Sequence, residues 1–164
     1  MSDQSDSNNL KTVAFLGPEG TFTHLAAMRH FDEGCQLLPC RSIEDVFVKV
    51  ESKEATHGVV PIENSTEGAI NNTQDCLVDS SLTIVGEELV LIRHNLLASS
   101  AIALNQIQKV ASHKQSLAQC RNWLKNNLPA VEQYECISNA QAAKLALEED
   151  GTVAIAGALA AETY

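Results

Sequence analysis

Short apolar runs alternate with capped, amphipathic segments along almost all of this chain, and that alternation restricts it to a layered α/β fold. Residues 12–16 form an apolar run of strand length. Gly17-Pro18-Glu19-Gly20 breaks it, and Thr21 or Thr23 is placed to cap a helix reaching about Phe31. Residues 36–40 form a second strand. Ser42-Ile43-Glu44-Asp45 has the pattern of a capping box, after which Ile43, Val46, Phe47 and Val50 mark one helical face. A third strand is predicted over 57–62 and a third helix over 67–78. Residues 82–92 are extended and mostly apolar, with Gly86 as a bulge or bend.

The rhythm then repeats. A strand over 94–98 and a short helical turn over 104–107 precede a strand at 109–111, which ends in Ser112-His113-Lys114-Gln115. Residues 116–127 read as one helix with Leu117, Cys120 and Leu124 inward. A strand over 131–137 leads to a helix that Ser138 caps and Gly151 ends, near Glu149. A strand at 152–156 and a helix from about Gly157 complete the series. Two series meeting near 91–95 predict an α/β chain of two similar lobes with a cleft between them and largely parallel sheets. The expected division is a disordered lead-in over 1–10, a first lobe over 11–92 and a second over 93–164.

Composition narrows the partners. A content of 45% hydrophobic and 20% charged residues is enough for a buried core. The net charge of −10 repels nucleic acid and acidic membrane. No apolar run approaches the ~18 residues of a membrane span. The start of the chain lacks the basic and apolar regions of a signal peptide. Cys35, Cys40, Cys76, Cys120 and Cys136 are odd in number and scattered, without a CxxC pair. They read as buried thiols of a cytoplasmic protein, in which the sequons Asn64-Ser65-Thr66 and Asn71-Asn72-Thr73 carry no sugar.

Polar residues gather at two strand ends. Glu63-Asn64-Ser65-Thr66 falls at the carboxyl end of the third strand, where open α/β sheets place ligands. A helix from Glu67, capped by Ser65 or Thr66, would offer free backbone N–H groups to an anion. Asn64 and Ser65 also suit a tight turn with no ligand at all. Ser112-His113-Lys114-Gln115 is the counterpart in the second series. His24, His30, His57, His94 and His113 form no HExxH or HxH pattern, so no metal is expected. GxSxG is absent, and the Gly17–Gly20 turn lacks both GxGxxG and GK[ST]. The residues alone describe a two-lobed binder of a small polar ligand.

Val13-Ala14-Phe15-Leu16-Gly17-Pro18-Glu19-Gly20-Thr21-Phe22-Thr23 resembles the opening of the prephenate dehydratase catalytic domain. So do residues 59–70, with their Pro61-Ile62-Glu63-Asn64-Ser65 and Gly68-Ala69-Ile70 elements, and residues 82–87. Residues 112–120 are similar to the family's SHPQ…QC stretch, and 153–164 to its AAI-x-x-x-x-AA-x-x-Y stretch. The matches are collinear. Lys114 stands where the family has proline, and the chain ends before the family's Thr-Arg-Phe motif and its phenylalanine-sensing ACT domain.

The resemblance implies a fold like the type 2 periplasmic binding proteins. It also implies an enzyme that converts prephenate to phenylpyruvate, with loss of carbon dioxide and the ring hydroxyl, in phenylalanine biosynthesis. Aromatisation drives that reaction, so no cofactor is implied. The enzyme must hold a dicarboxylate and assist departure of hydroxide, a general-acid task worth ~10²–10⁴-fold. Matched residue by residue, Glu63, Asn64 and Gln115 are the implied catalytic positions. Thr21, Ser65, Thr66, Gly68, Ser112 and His113 are the implied substrate-binding ones. The family assigns the acid chiefly to the threonine of Thr-Arg-Phe, so these 164 residues alone are expected to be inactive. Prephenate and a second copy of the chain are the implied partners. A non-catalytic carboxylate-binding module of the same fold and an arogenate dehydratase remain open at this point.

Overall fold

Residues 11–65 and 68–164 are described by the structure, a computed structural model. The lead-in over 1–10 and the candidate Thr66 lie outside the described residues. The chain divides into two compact units. Among the described residues, one holds 11–16 together with Ala26–Glu88; the other holds Gly17–Leu25 together with Leu89–Tyr164.

The first unit is built on a parallel sheet of β1 (Thr12–Leu16), β2 (Gln36–Cys40) and β3 (His57–Val59), in the order β2-β1-β3. The central strand is buried on both faces. Val13 and Phe15 pack with Ala27, Leu37 and Val59, and Ala14 on the opposite face packs with Cys40, Val46 and Ala55. Helix α1 (Phe22–His30) follows β1 and α2 (Ile43–Glu51) follows β2. Ser42 caps α2 by accepting from the Asp45 N–H at 3.1 Å. The reciprocal bond is made one residue early, from the Arg41 N–H to Asp45 Oδ2 at 3.3 Å.

The direct strand-to-helix passage expected after β3 does not occur. Glu63–Asn64 (β4) pairs antiparallel with Gly68–Ala69 (β5), and the Ile70 N–H donates to the Ile62 carbonyl at 2.9 Å. Gly68 has φ +81°, a conformation open to glycine that closes a hairpin instead of starting a helix. Helix α3 therefore runs Asn71–Asp79 instead of 67–78, with Ile70 at its N-cap and no side-chain cap bond, so Ser65 is not the cap. Thr73, 1% exposed, fastens α3 instead: its Oγ1 donates to the Pro61 carbonyl at 2.6 Å. Residues 82–92 have no ladder partner among the described residues. At Gly86 the backbone runs so close to His30 that an added Cβ would lie 2.8 Å from its ring.

The second unit carries β6 (Asn95–Leu97), β7 (Lys109–His113), β8 (Glu132–Cys136) and β9 (Thr152–Ala156), in the order β6-β9-β7-β8. β7 is parallel to β8 and β9, and β6 is antiparallel to β9. The expected turn is a 3₁₀ turn at Leu104–Gln106. The single helix expected over 116–127 is two, α4 (Lys114–Gln119) and α5 (Arg121–Asn127), divided where Cys120 takes ψ 4°. Leu117 and Leu124 stay buried and Cys120 packs beside them, so the predicted inner face survives the break. The last helices are α6 (Asn139–Glu148) and α7 (Ala158–Thr163).

β9 is buried at every position. Val153 and Ile155 join Val110, Leu117 and Leu124 on one face; Ala154 and Ala156 join Ala111 and the α6 residues Ala142, Ala143 and Ala146 on the other. Small side chains dominate this contact between α6 and the sheet, with Cys136 and Leu145 beside the alanines. Ser138 caps α6 by accepting from the Gln141 N–H at 3.0 Å, as its position predicts. Gly17–Leu25 belongs to this unit although it follows β1. The Tyr164 hydroxyl donates to the Glu19 carbonyl at 2.8 Å, and Gly20 lies where an added Cβ would be 3.2 Å from Ala160 Cα. Among the described residues no helix is long and apolar enough to cross a membrane.

Candidate active site

In the second unit the parallel strands bring their carboxyl ends to one edge, and the polar residues collect there. His113 at the end of β7 is level with Cys136 at the end of β8, two residues before the Ser138 cap. Ser112 is fully buried, and its single hydroxyl hydrogen is shared between the Ile155 carbonyl at 2.6 Å and Asn139 Oδ1 at 3.0 Å. Asn139 Oδ1 also accepts from the His113 N–H at 3.1 Å and from the Ser116 hydroxyl at 3.0 Å. His113 caps α4, its Nδ1 accepting from the Gln115 N–H at 3.4 Å. Lys114, in the place of a proline, is the exposed first residue of α4 and leaves this turn closed. Gln115 is half-buried, and its carboxamide makes no hydrogen bond among the described residues.

Thr21 lies in the segment held on the same unit. Its Oγ1 donates to the Pro18 carbonyl at 2.9 Å and accepts from the His24 N–H at 3.2 Å, so it is the helix cap its position predicts. His24 Nδ1 accepts from the Gly20 N–H at 3.0 Å. Burial lowers the His24 pKa below the ordinary value, partly opposed by the Glu19 carboxylate.

The first unit supplies the other candidates. Glu63 is exposed, Asn64 is half-buried, and Ser65 is an exposed turn residue after β4. Gly68 pairs with Asn64 across the hairpin. These residues therefore sit on a small hairpin anchored through Ile70 and Thr73, not at a helix start.

The described cysteines are all free, with Cys40 and Cys136 buried and Cys35, Cys76 and Cys120 half-buried. Burial raises the pKa of Cys40, Cys120 and Cys136, and burial followed by the Glu44 carboxylate raises that of Cys76, so none of these four is tuned as a nucleophile. Asn139 was not legible as a site residue. Its donors lie 23 to 27 residues away, and beside the Ser138 cap it reads only as the start of a helix.

Polar side chains thus gather at the carboxyl edge of a parallel sheet in the second unit, where open α/β sheets place ligands, and on a small hairpin in the first. The family model for prephenate dehydratase matches residues 13–164. The chain belongs to the prephenate dehydratase family, as its motifs imply. The bifunctional chorismate mutase/prephenate dehydratase of Aquifex aeolicus (strain VF5) is 47% identical over 152 residues, covering 93% of this chain and 42% of that protein. The structure of the prephenate dehydratase from Staphylococcus aureus subsp. aureus Mu50 matches with a TM-score of 0.79 at 30% identity, covering 93% of this chain and 57% of its own. GqqA, described as a novel type of quorum quenching acylase, matches with a TM-score of 0.81 at 27% identity, covering 93% and 56%. The chain spans about two fifths of the length of the curated relatives it matches.

Proposed function

We propose that this chain supplies a prephenate dehydratase site, turning prephenate into phenylpyruvate, carbon dioxide and water. The observation that carries the reading is the family match over 13–164 together with a Gln115 carboxamide that follows a strand end and makes no hydrogen bond among the described residues. In the reaction the ring carboxylate leaves as carbon dioxide. Its electron pair completes the aromatic ring, and the ring hydroxyl leaves with its own pair and takes a proton to become water. The substrate carries two carboxylates and the chain a net charge of −10. Neutral carboxamide donors suit that task because they add no charge to be desolvated.

On this reading both units serve one substrate, as lobes that depart from the expected 11–92 and 93–164 division chiefly in that Gly17–Leu25 goes with the second. Asn64 of the first and Gln115 of the second donate to substrate oxygens. Glu63, exposed on the hairpin, acts as a hydrogen-bond acceptor that orients a neighbouring donor. Ser65, Gly68, Thr21, Ser112 and His113 shape the two ends. The carboxamides do not titrate, so the proton for the departing hydroxide comes from another group. The enzyme acts in the cytoplasm, as a homo-oligomer.

The test is direct. The protein carrying this chain is given prephenate, and phenylpyruvate is followed by its ultraviolet absorbance in alkali. Turnover is expected without added cofactor and unchanged by EDTA; activity that depends on a metal, or no turnover, contradicts the proposal.

A further inference from the structure

We propose that Asn139 is the positioning residue of this site, fixing the β7–α4 turn that presents Gln115. The proposal rests on the reading of Gln115 as a substrate-binding group. The local means of holding that turn are slight. α4 has six residues, Lys114 at its start is exposed, and the His113 cap bond is long at 3.4 Å. The three bonds to Asn139 Oδ1 are shorter, at 3.0 to 3.1 Å, and they bracket Gln115 in sequence: Ser112 and His113 before it, Ser116 after it.

The atom that collects them is an oxygen. The His113 backbone N–H can only donate, so the Asn139 amide must face it with its carbonyl. The oxygen is itself well fixed. Asn139 is the first residue of α6, whose start is tied by Ser138 and whose alanine face packs on β7 and β9. On the other side Ser112 is also bonded to Ile155 of β9. A turn tied to one rigid helix and one central strand cannot drift as a loop does, and a drift of about 1 Å in a binding group costs on the order of 100-fold in rate.

The experiment is a cycle of Asn139→Ala, Gln115→Ala and the double variant, with Asn139→Asp as rescue, assayed for prephenate turnover in the protein carrying this chain. Asn139→Ala is expected to lower kcat/KM about tenfold or more. Asn139→Asp keeps an acceptor oxygen at a helix start, where a carboxylate is tolerated, and is expected to recover most of the loss. The double variant is expected to be no worse than Gln115→Ala alone, because Asn139 acts through Gln115. A role in stability alone would make the two losses multiply. Multiplying losses, a dead Asn139→Asp, or an Asn139→Ala enzyme of normal rate beside an impaired Gln115→Ala overturns the positioning role and leaves the dehydratase reading standing. A wild-type protein without turnover, or a Gln115→Ala enzyme of normal rate, overturns the site reading and this proposal with it. If Asn139→Ala does not fold, Asn139→Ser takes its place, since its shorter hydroxyl cannot meet all three donors.

Discussion

His24 is a residue whose protonation the fold decides. Its Nδ1 accepts from the Gly20 N–H, so the lone pair on that nitrogen is in use and the neutral ring is the form that fits. Burial acts in the same direction, lowering the pKa below 6.5 against a partial opposing pull from Glu19. With the folded value below the unfolded one, the unfolded chain takes up a proton first as the pH drops. The stability held by this contact is complete above the ordinary histidine value and is lost as the pH falls from there through the lowered value. An NMR titration is expected to give a His24 midpoint below 6.5, with the Gly20 amide signal moving at the same pH. A midpoint at or above 6.5 contradicts the contact. Both residues were visible in the sequence, but nothing four positions apart in a glycine turn announces that the imidazole closes it.

At the scale of elements, regular periodicity was readable and chain reversals were not. β1, α2, β7, α6 and β9 fall where apolar spacing and caps place them, because each buries its own pattern: a continuous apolar run in Val13-Ala14-Phe15, buried on both faces, and a helical stripe in Ile43, Val46 and Phe47. The passage after β3 was misread because Ser65 has the chemistry of a cap, while the deciding fact is the positive φ of Gly68. The α4–α5 break was equally hidden, since Leu117, Cys120 and Leu124 keep helical spacing across it. Of the candidate site, the strand-end residues and Gln115 were proposed from motifs, and Asn139 was not, because its partners come from other elements. The hairpin that replaced the expected cap depends on Thr73. Thr73→Val keeps the shape and leaves the Pro61 carbonyl without its donor, so a loss of about 1–3 kcal/mol is expected in chemical unfolding, with Thr73→Ser close to wild type. Equal stability of Thr73→Val and wild type contradicts the anchoring role.

At the scale of the whole molecule, the proposed dehydratase function assigns each unit a different half of one chemistry. The second unit offers a carboxamide on a turn tied to helix and strand, and the first offers Asn64 on a small hairpin anchored through the Ile70 N–H and the buried Thr73 hydroxyl. The dehydratase reading draws its two carboxamide donors, Asn64 and Gln115, from both units. The most direct measurement is kcat/KM for prephenate in Asn64→Ala and Gln115→Ala, made in the protein carrying this chain, with thermal unfolding recorded beside it. Each variant is expected to lose about 1.5–3 kcal/mol of transition-state binding, roughly 10- to 150-fold, with little change in melting temperature. Near-wild-type kinetics in both, or a lowered melting temperature with unchanged kinetics, would show these residues to be turn formers and contradict a site shared by the two units.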